Sequence, residues 1–184
     1  DKLFMNTTLT YSKYRLNTEV SLGTEFEDKS KDLISLGYLS GIRDYAAKID
    51  FDFVPSPRHF IRFGTNVILH EFNPGQFDLA QVSASSGINF KQTLGQPIKN
   101  ATELALYAED DYEITKKLKV NAGLHLSGFS VDDAFYTSLQ PRLSMRYLLP
   151  KGPGLKASFA TMRQFINLLF FEGIGLPTDI WLPT

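Results

Sequence analysis

The residues best suited to acid–base or metal chemistry are three histidines, His59, His70 and His125. No two of them stand four residues apart, the spacing that places two zinc ligands on one face of a helix. The chain has no cysteine, so thiolate ligands, disulfides and a cysteine nucleophile are excluded. A Gly-x-Ser-x-Gly elbow and a phosphate-binding loop are also missing from the sequence. The sequence therefore predicts no enzyme and no cofactor.

An acidic cluster lies in the second half of the chain and comprises Glu109, Asp110, Asp111 and Glu113. Carboxylate oxygens are the ligands that calcium prefers. Successive side chains of a strand point to opposite faces, so a strand would separate Asp110 from the other three. We therefore favour ion pairs over a calcium site. The candidate partners on the neighbouring strand are Lys116, Lys117 and Lys119.

Composition limits the class of protein. The chain has 184 residues, a net charge of −1 and 43% hydrophobic residues, so it has the composition of a folded protein without a basic nucleic-acid footprint. No stretch approaches the ~20 apolar residues of a transmembrane helix. This test excludes helical membrane proteins only, because the strands of a membrane β-barrel pass it unnoticed.

The elements that must position these residues are strands. About seven segments alternate apolar and polar residues with a period of two, which is typical of strands with two different faces. They cover residues 3–26, 41–53, 59–71, 102–114, 118–128, 138–149 and 155–166. The clearest is the fifth, in which Leu118, Val120, Ala122, Leu124 and Leu126 share one face.

The connections between these strands are of two kinds. Residues 54–58, 115–117 and 150–154 are predicted as tight turns, the first with two Pro and the third with two Pro and two Gly. The alternate connections, 27–35, 73–100 and 130–135, are predicted as loops, most of them longer and polar. Short turns at one edge and long loops at the other are typical of an antiparallel, up-and-down transmembrane β-barrel. Phe165 to Phe171 would be the upper end of a strand or a loop packed into the lumen, and Gly173 to Gly175 a loop.

The polar face of the strands carries charges in mid-strand, which we expect to line a water-filled lumen. The predicted lumen-facing residues are Lys48, Asp50, Asp52, Arg62, Glu109, Asp111, Lys119, Asn121, His125, Arg142 and Arg146. The apolar face would contact lipid.

Several stretches resemble a known family. They are Pro141 to Tyr147 (PRLSMRY), Leu155 to Phe165 (LKASFATMRQF), Gly175 to Thr184 (GLPTDIWLPT) and Leu104 to Tyr112 (LALYAEDDY). They resemble the barrel of TonB-dependent receptors, the active nutrient transporters of Gram-negative outer membranes. The resemblance is to the type with an extra N-terminal carboxypeptidase-regulatory-like domain. It covers roughly residues 36–184 and is most specific over 136–184.

The resemblance implies a barrel of about 22 strands closed by a plug, whose TonB box couples solute import to the inner-membrane proton-motive force. Residues 1–184 would be a partial barrel of about seven of those strands, and we expect the plug and the TonB box to be absent from it. The implied partners are the remainder of the barrel, the plug, the TonB complex, outer-membrane lipid and, as a candidate, a surface lipoprotein.

Two alternatives stay open from the sequence. One is an independent small outer-membrane barrel, either a pore or an enzyme built on lumen-facing His and Asp. The other is a soluble β-sandwich binding module, whose polar strand faces would contact solvent.

Overall fold

The computed structural model of the chain describes residues 2–26, 31–83, 86–150, 152–173 and 176–183, and strands dominate these ranges. Among the described residues, no helix is long and apolar enough to cross a membrane. The strands are β1 (Leu3–Glu25), β2 (Lys31–Ser56), β3 (His59–Ser83), β4 (Ile88–Gly95), β5 (Lys99–Thr115), β6 (Leu118–Val131), β7 (Ala134–Leu148), β8 (Gly154–Ala160), β9 (Ile166–Gly173) and β10 (Leu176–Pro183).

Seven strands form an up-and-down path in the order β1-β2-β3-β5-β6-β7-β8, and β4 pairs with β3 outside this path. The pairs β5–β6, β6–β7 and β7–β8 are antiparallel. The predicted all-β, antiparallel barrel segment is therefore confirmed. β9 and β10 form a separate two-stranded sheet.

The three predicted tight turns join β2 to β3, β5 to β6 and β7 to β8. In the second of them, the Thr115 hydroxyl oxygen accepts hydrogen bonds from the backbone N–H of Lys117 at 3.2 Å and of Leu118 at 3.0 Å. The connection predicted at 130–135 is present, but it is a two-residue turn and shorter than predicted. Only Asp132 and Asp133 separate β6 from β7, and Asp132 has a φ of 49°, a left-handed conformation that Asp tolerates better than most residues.

Two other predicted loops also contain strands. Residues 31–35 of the expected loop 27–35 already belong to β2, and residues 27–30 lie outside the described ranges. The expected loop 73–100 contains the end of β3 and all of β4, paired from Gln76 opposite Gly95 to Ser83 opposite Ile88. Polar side chains support this hairpin, because Asp78 accepts hydrogen bonds from Thr93 at 2.6 Å and from Gln76 at 3.2 Å.

The C-terminal segment also differs from its prediction. β8 ends at Ala160, before the predicted boundary at residue 166. Residues 166–171 belong to β9 and are neither the upper end of β8 nor a loop. The register places Leu168 opposite Trp181 and Leu169 opposite Ile180, so apolar cross-strand pairs stabilise a hairpin. The loop expected at Gly173 to Gly175 lies largely outside the described residues.

The chain divides into two units. The first unit comprises Asp1–Tyr11, Asp44–Leu69 and Ala101–Gln164, and it contains the three tight turns. The second unit comprises Ser12–Arg43, His70–Asn100 and Phe165–Thr184, and it contains the β3–β4 and β9–β10 hairpins. The largest buried side chains are Phe129 in the first unit and Tyr38, Phe72 and Phe165 in the second.

Candidate functional site

In the first unit, the apolar face of the sheet is exposed, and the polar face is buried at one end. Leu124 is 48% exposed and Leu126 is 45% exposed, whereas Ser127 and Gln140 are 2% and 3% exposed. These two buried polar side chains are hydrogen-bonded to each other, since the Gln140 side-chain amide donates to the Ser127 hydroxyl at 2.9 Å. An exposed row of leucines is unusual in a soluble sheet and is typical of a membrane barrel with an apolar exterior.

The register makes this apolar face continuous across strands. Leu126 stands opposite Leu106 on β5 and opposite Leu139 on β7. Leu143 on β7 stands opposite Phe159 on β8. Four neighbouring strands therefore present one unbroken apolar surface.

Arg62 connects three strands on the polar face. Its Nε atom lies 3.1 Å from Asp52 on β2, and one of its terminal nitrogens lies 3.2 Å from Glu109 on β5. Phe60, on the same face of β3, has its ring 5.1 Å from the guanidinium. Two predicted site residues, Asp52 and Glu109, are thus joined through a third, Arg62.

Tyr107 is a member of this face that the sequence prediction missed. Its hydroxyl donates a hydrogen bond to Asp50, which also pairs with Lys48 at 3.0 Å. The Tyr107 ring stacks toward His125, with the ring centroids 6.3 Å apart. The sequence could have predicted this position, because residue 107 lies between Leu106 and Ala108 of the apolar face and must point to the opposite face.

The remaining predicted residues lie further along the same face of β5, β6 and β7. Lys119 pairs with Asp111 at 3.0 Å, and Asn121 stands opposite both Asp111 and Ser144. Arg142 stands opposite Gly123, and Arg146 opposite Lys119. The structure therefore places these residues together on one face of adjacent strands. That this face lines a lumen stays a prediction.

The acidic cluster is divided as strand alternation predicts. Glu109 pairs with Arg62 and Asp111 with Lys119 on one face, whereas Asp110 contacts His59 through an Oδ2–Nδ1 distance of 2.6 Å. The His59 ring also stacks on Tyr112, with centroids 4.2 Å apart. In the part of the chain that the structure describes, no group of three or more His, Asp or Glu side chains could hold a metal ion.

In the second unit, two tyrosines converge on Asp179, which is 3% exposed. The Tyr14 hydroxyl donates to its carboxylate, and the Tyr38 hydroxyl donates to its backbone carbonyl at 2.5 Å. These two hydrogen bonds attach the β9–β10 hairpin to β1 and β2 within this unit.

Comparison with known proteins gives one match. The model of the family described as TonB dependent receptor-like, beta-barrel matches residues 2–170. No curated protein and no solved structure matches the chain. The matched range includes β1 to β8 and much of β9, the strands that carry both faces described above. Members of this family are outer-membrane transporters rather than enzymes. The chain therefore belongs to the TonB-dependent receptor β-barrel family.

Proposed function

We propose that the protein containing this chain imports a scarce solute across the outer membrane, using inner-membrane proton-motive force delivered through TonB. The observation that carries the proposal is the pair of opposite faces in the first unit. One face exposes Leu124, Leu126 and Leu143, and the other carries the Arg62 network. A sheet of this kind fits a wall between lipid and water.

The polar face has the properties of a wet surface. The Arg62 side chain is 46% exposed although it makes two ion pairs. Such partly solvated pairs avoid most of the desolvation penalty that charges suffer in a dry core. We infer that the eleven predicted residues, together with Tyr107, line the lumen, where they would contact the plug or the passing solute.

The strand order supports a partial barrel. Among the described strands, β1 and β8 stand at the two ends of the path. Unpaired strand edges are too costly in a bilayer, so both edges require further strands. We propose the remainder of the barrel, a plug and the TonB complex as partners, with outer-membrane lipid around the apolar face. We also propose that the protein belongs to the subtype with an N-terminal carboxypeptidase-regulatory-like domain and that it has a surface lipoprotein partner. Both of these proposals rest on the resemblance of the sequence alone.

The test of energy-coupled import uses a deletion strain grown on media in which iron, cobalamin or an oligosaccharide is limiting. We expect slow growth on at least one medium, restored by the full-length gene and lost again when TonB is inactivated. Growth that is restored equally well without TonB would identify a passive pore and contradict the proposal.

A second experiment addresses the independent small barrel. The isolated 184-residue chain is refolded in detergent and run on a gel with and without heating. We expect no heat-modifiable band from this chain, because among the described strands β1 and β8 each have a neighbour on one side only. A discrete heat-modifiable band at the size of the monomer would favour the independent barrel.

A further inference from the structure

A row of cations crosses three strands of the first unit, close to the tight turns. Lys119 on β6 stands opposite Arg146 on β7, and Arg146 stands opposite Lys156 on β8. We call these three residues the cation row. Neighbouring strands lie about 4.8 Å apart, so the row places three positive charges within about 10 Å. Like charges that stand directly opposite each other destabilise a sheet, which points to a role for the row other than stability.

Carboxylates balance only one end of the cation row. Lys119 pairs with Asp111 at 3.0 Å and stands opposite Glu113 on β5. With the described residues, the other two members of the row make no ion pair and no side-chain hydrogen bond. Residues 134–165, which include β7 and β8, contain five Lys or Arg and no Asp or Glu. The part of the row on β7 and β8 therefore carries positive charge that no carboxylate of these strands balances.

A second row on the same face supplies uncharged hydrogen-bonding groups. Asn121 stands opposite Ser144, and Ser144 stands opposite Ser158, each two residues along its strand from a member of the cation row. We call these three residues the neutral row. With the described residues, they make no side-chain hydrogen bond. Both rows line one open cavity of about 360 Å³, a volume typical of small-molecule sites. The cavity therefore combines unbalanced cations with free hydrogen-bond donors.

We propose that the cation row and the neutral row bind a small solute that carries two or more oxyanion groups, either phosphates or carboxylates. Arginine presents paired donors that match the oxygens of such groups, and lysine adds a compact positive charge. The hydroxyl and amide groups of the neutral row donate to further oxygens of the solute. The bound oxyanions lie between like charges and relieve their repulsion. The inference rests on the proposed import of a solute, and it names the chemical class of that solute.

The test titrates the detergent-solubilised full-length protein by calorimetry with citrate, inorganic pyrophosphate, inorganic phosphate and glucose. An exposed charge pair contributes up to about five-fold in affinity, so a second oxyanion group on the probe should strengthen binding by about that factor. We therefore expect citrate or pyrophosphate to bind about five-fold more tightly than inorganic phosphate, and glucose not to bind. A preference for only one of the first two probes identifies the oxyanion as carboxylate or phosphate.

Arg146→Gln combined with Lys156→Gln removes the two unbalanced charges. This double variant should weaken binding of the tighter probe by about 25-fold, which is about five-fold for each charge. The matched control is Lys116→Gln combined with Lys117→Gln. It removes two positive charges from the adjacent tight turn, and neither lysine lines the cavity. We expect the control to leave the affinity nearly unchanged at about 0.15 M salt, because salt screens exposed charges that do not contact the probe.

Unfolding of the full-length protein in phosphatidylcholine vesicles separates a solute site from a structural contact. Arg146→Gln combined with Lys156→Gln removes like charges from opposite positions, so it should leave the free energy of unfolding unchanged or raise it. A lower free energy of unfolding would mean that these cations pair with carboxylates elsewhere in the protein, such as those of the plug, and would overturn the inference. Both double variants should keep the heat-modifiable mobility of the parent, which shows that the barrel is folded.

Three further results would overturn the inference. They are equal binding of citrate, pyrophosphate and inorganic phosphate, an unchanged affinity in the cavity variant, and an equal loss of affinity in the control variant. TonB-dependent growth is scored separately in the strains that express these proteins. Growth that needs TonB, together with a purified protein that binds no probe, would refute the solute class and leave the transporter proposal intact. Binding without TonB-dependent growth would refute the transporter proposal alone.

Discussion

Leu124→Arg tests the assignment of the two faces most directly. Leu124 lies in β6, is 48% exposed, and stands opposite Ala108 and Pro141 on the neighbouring strands. It is six residues from the start of β6 at Leu118. With a rise of about 3.3 Å per residue and a tilt of about 45°, its depth is about 14 Å from the end of the strand at the tight turn. This is close to the middle of a band about 25 Å high.

An arginine at that depth on the lipid face should lower the free energy of unfolding by about 2–4 kcal/mol. Asn121→Arg is the matched variant on the other face. Asn121 stands opposite Asp111, so the new cation would have water and a carboxylate beside it. We expect a cost within about 1 kcal/mol for this variant, as for exposed charge pairs.

The assay is guanidinium unfolding of the full-length protein in phosphatidylcholine vesicles. Leu124→Ala separates the loss of the leucine side chain from the burial of a charge, and its cost should be clearly smaller than that of Leu124→Arg. If Asn121→Arg proves as costly as Leu124→Arg or costlier, the face assignment is wrong by one residue, because a shift of one position exchanges the two sides of a strand.

Three further predictions concern single contacts. Gly64→Ala should lower the free energy of unfolding by about 1–3 kcal/mol in the same assay, because the added methyl would clash with the backbone oxygen of Ile49 and would also lie 2.9 Å from the Tyr107 hydroxyl. Asp179→Ala should increase chymotrypsin cleavage in β9–β10, since loss of the Tyr14 hydrogen bond to a carboxylate costs about 1–3 kcal/mol. The Thr93 hydroxyl holds the pKa of Asp78 below its ordinary value of 3.8, so the carboxylate stabilises the β3–β4 hairpin above that pH. Pepsin cleavage of the hairpin, divided by the rate of pepsin on an unfolded substrate at the same pH, should therefore rise as pH falls through the folded-state pKa.

Each of these predictions has a control. At Gly37 an added methyl would meet its nearest neighbour at 3.7 Å, an ordinary contact, so Gly37→Ala should be nearly neutral. Tyr14→Phe should reproduce most of the Asp179→Ala effect, and an unchanged cleavage rate in both would refute the attachment. Asp78→Asn should make pepsin cleavage of the hairpin, divided by the rate of pepsin on an unfolded substrate at the same pH, independent of pH over the same range. A persistent pH dependence would assign the effect to another group.

The faces of the sheet could be predicted from the sequence because alternation is a local property. Leu124 and Leu126 differ in polarity from Asn121 and His125 in a pattern that needs no partner strand to be read. The same rule would have found Tyr107. The ion pairs of Arg62 were beyond such a prediction, since they depend on the register between β2, β3 and β5.

The β3–β4 and β9–β10 hairpins could not be predicted for a different reason. The first contains Gly, Ser and Gln, residues typical of loops, and it is supported by the contact of Asp78 with Thr93. The second is a short apolar segment, and its strand state depends on pairing such as Leu168 with Trp181. In both cases the cross-strand partner decides the conformation, and composition along the chain does not show it.

The attachment of Tyr14 and Tyr38 to Asp179 has a consequence for the order in which the chain folds. These contacts join residues 165 and 141 positions apart, whereas two residues separate β6 from β7. Closing a long loop costs more chain entropy, and contacts distant in sequence form slowly. The β5–β8 meander can therefore act as the nucleus of assembly. We expect the hairpin that carries Asp179 to dock last. A chain that stops folding before this step would leave the hydroxyls of Tyr14 and Tyr38 without Asp179 as their hydrogen-bond acceptor.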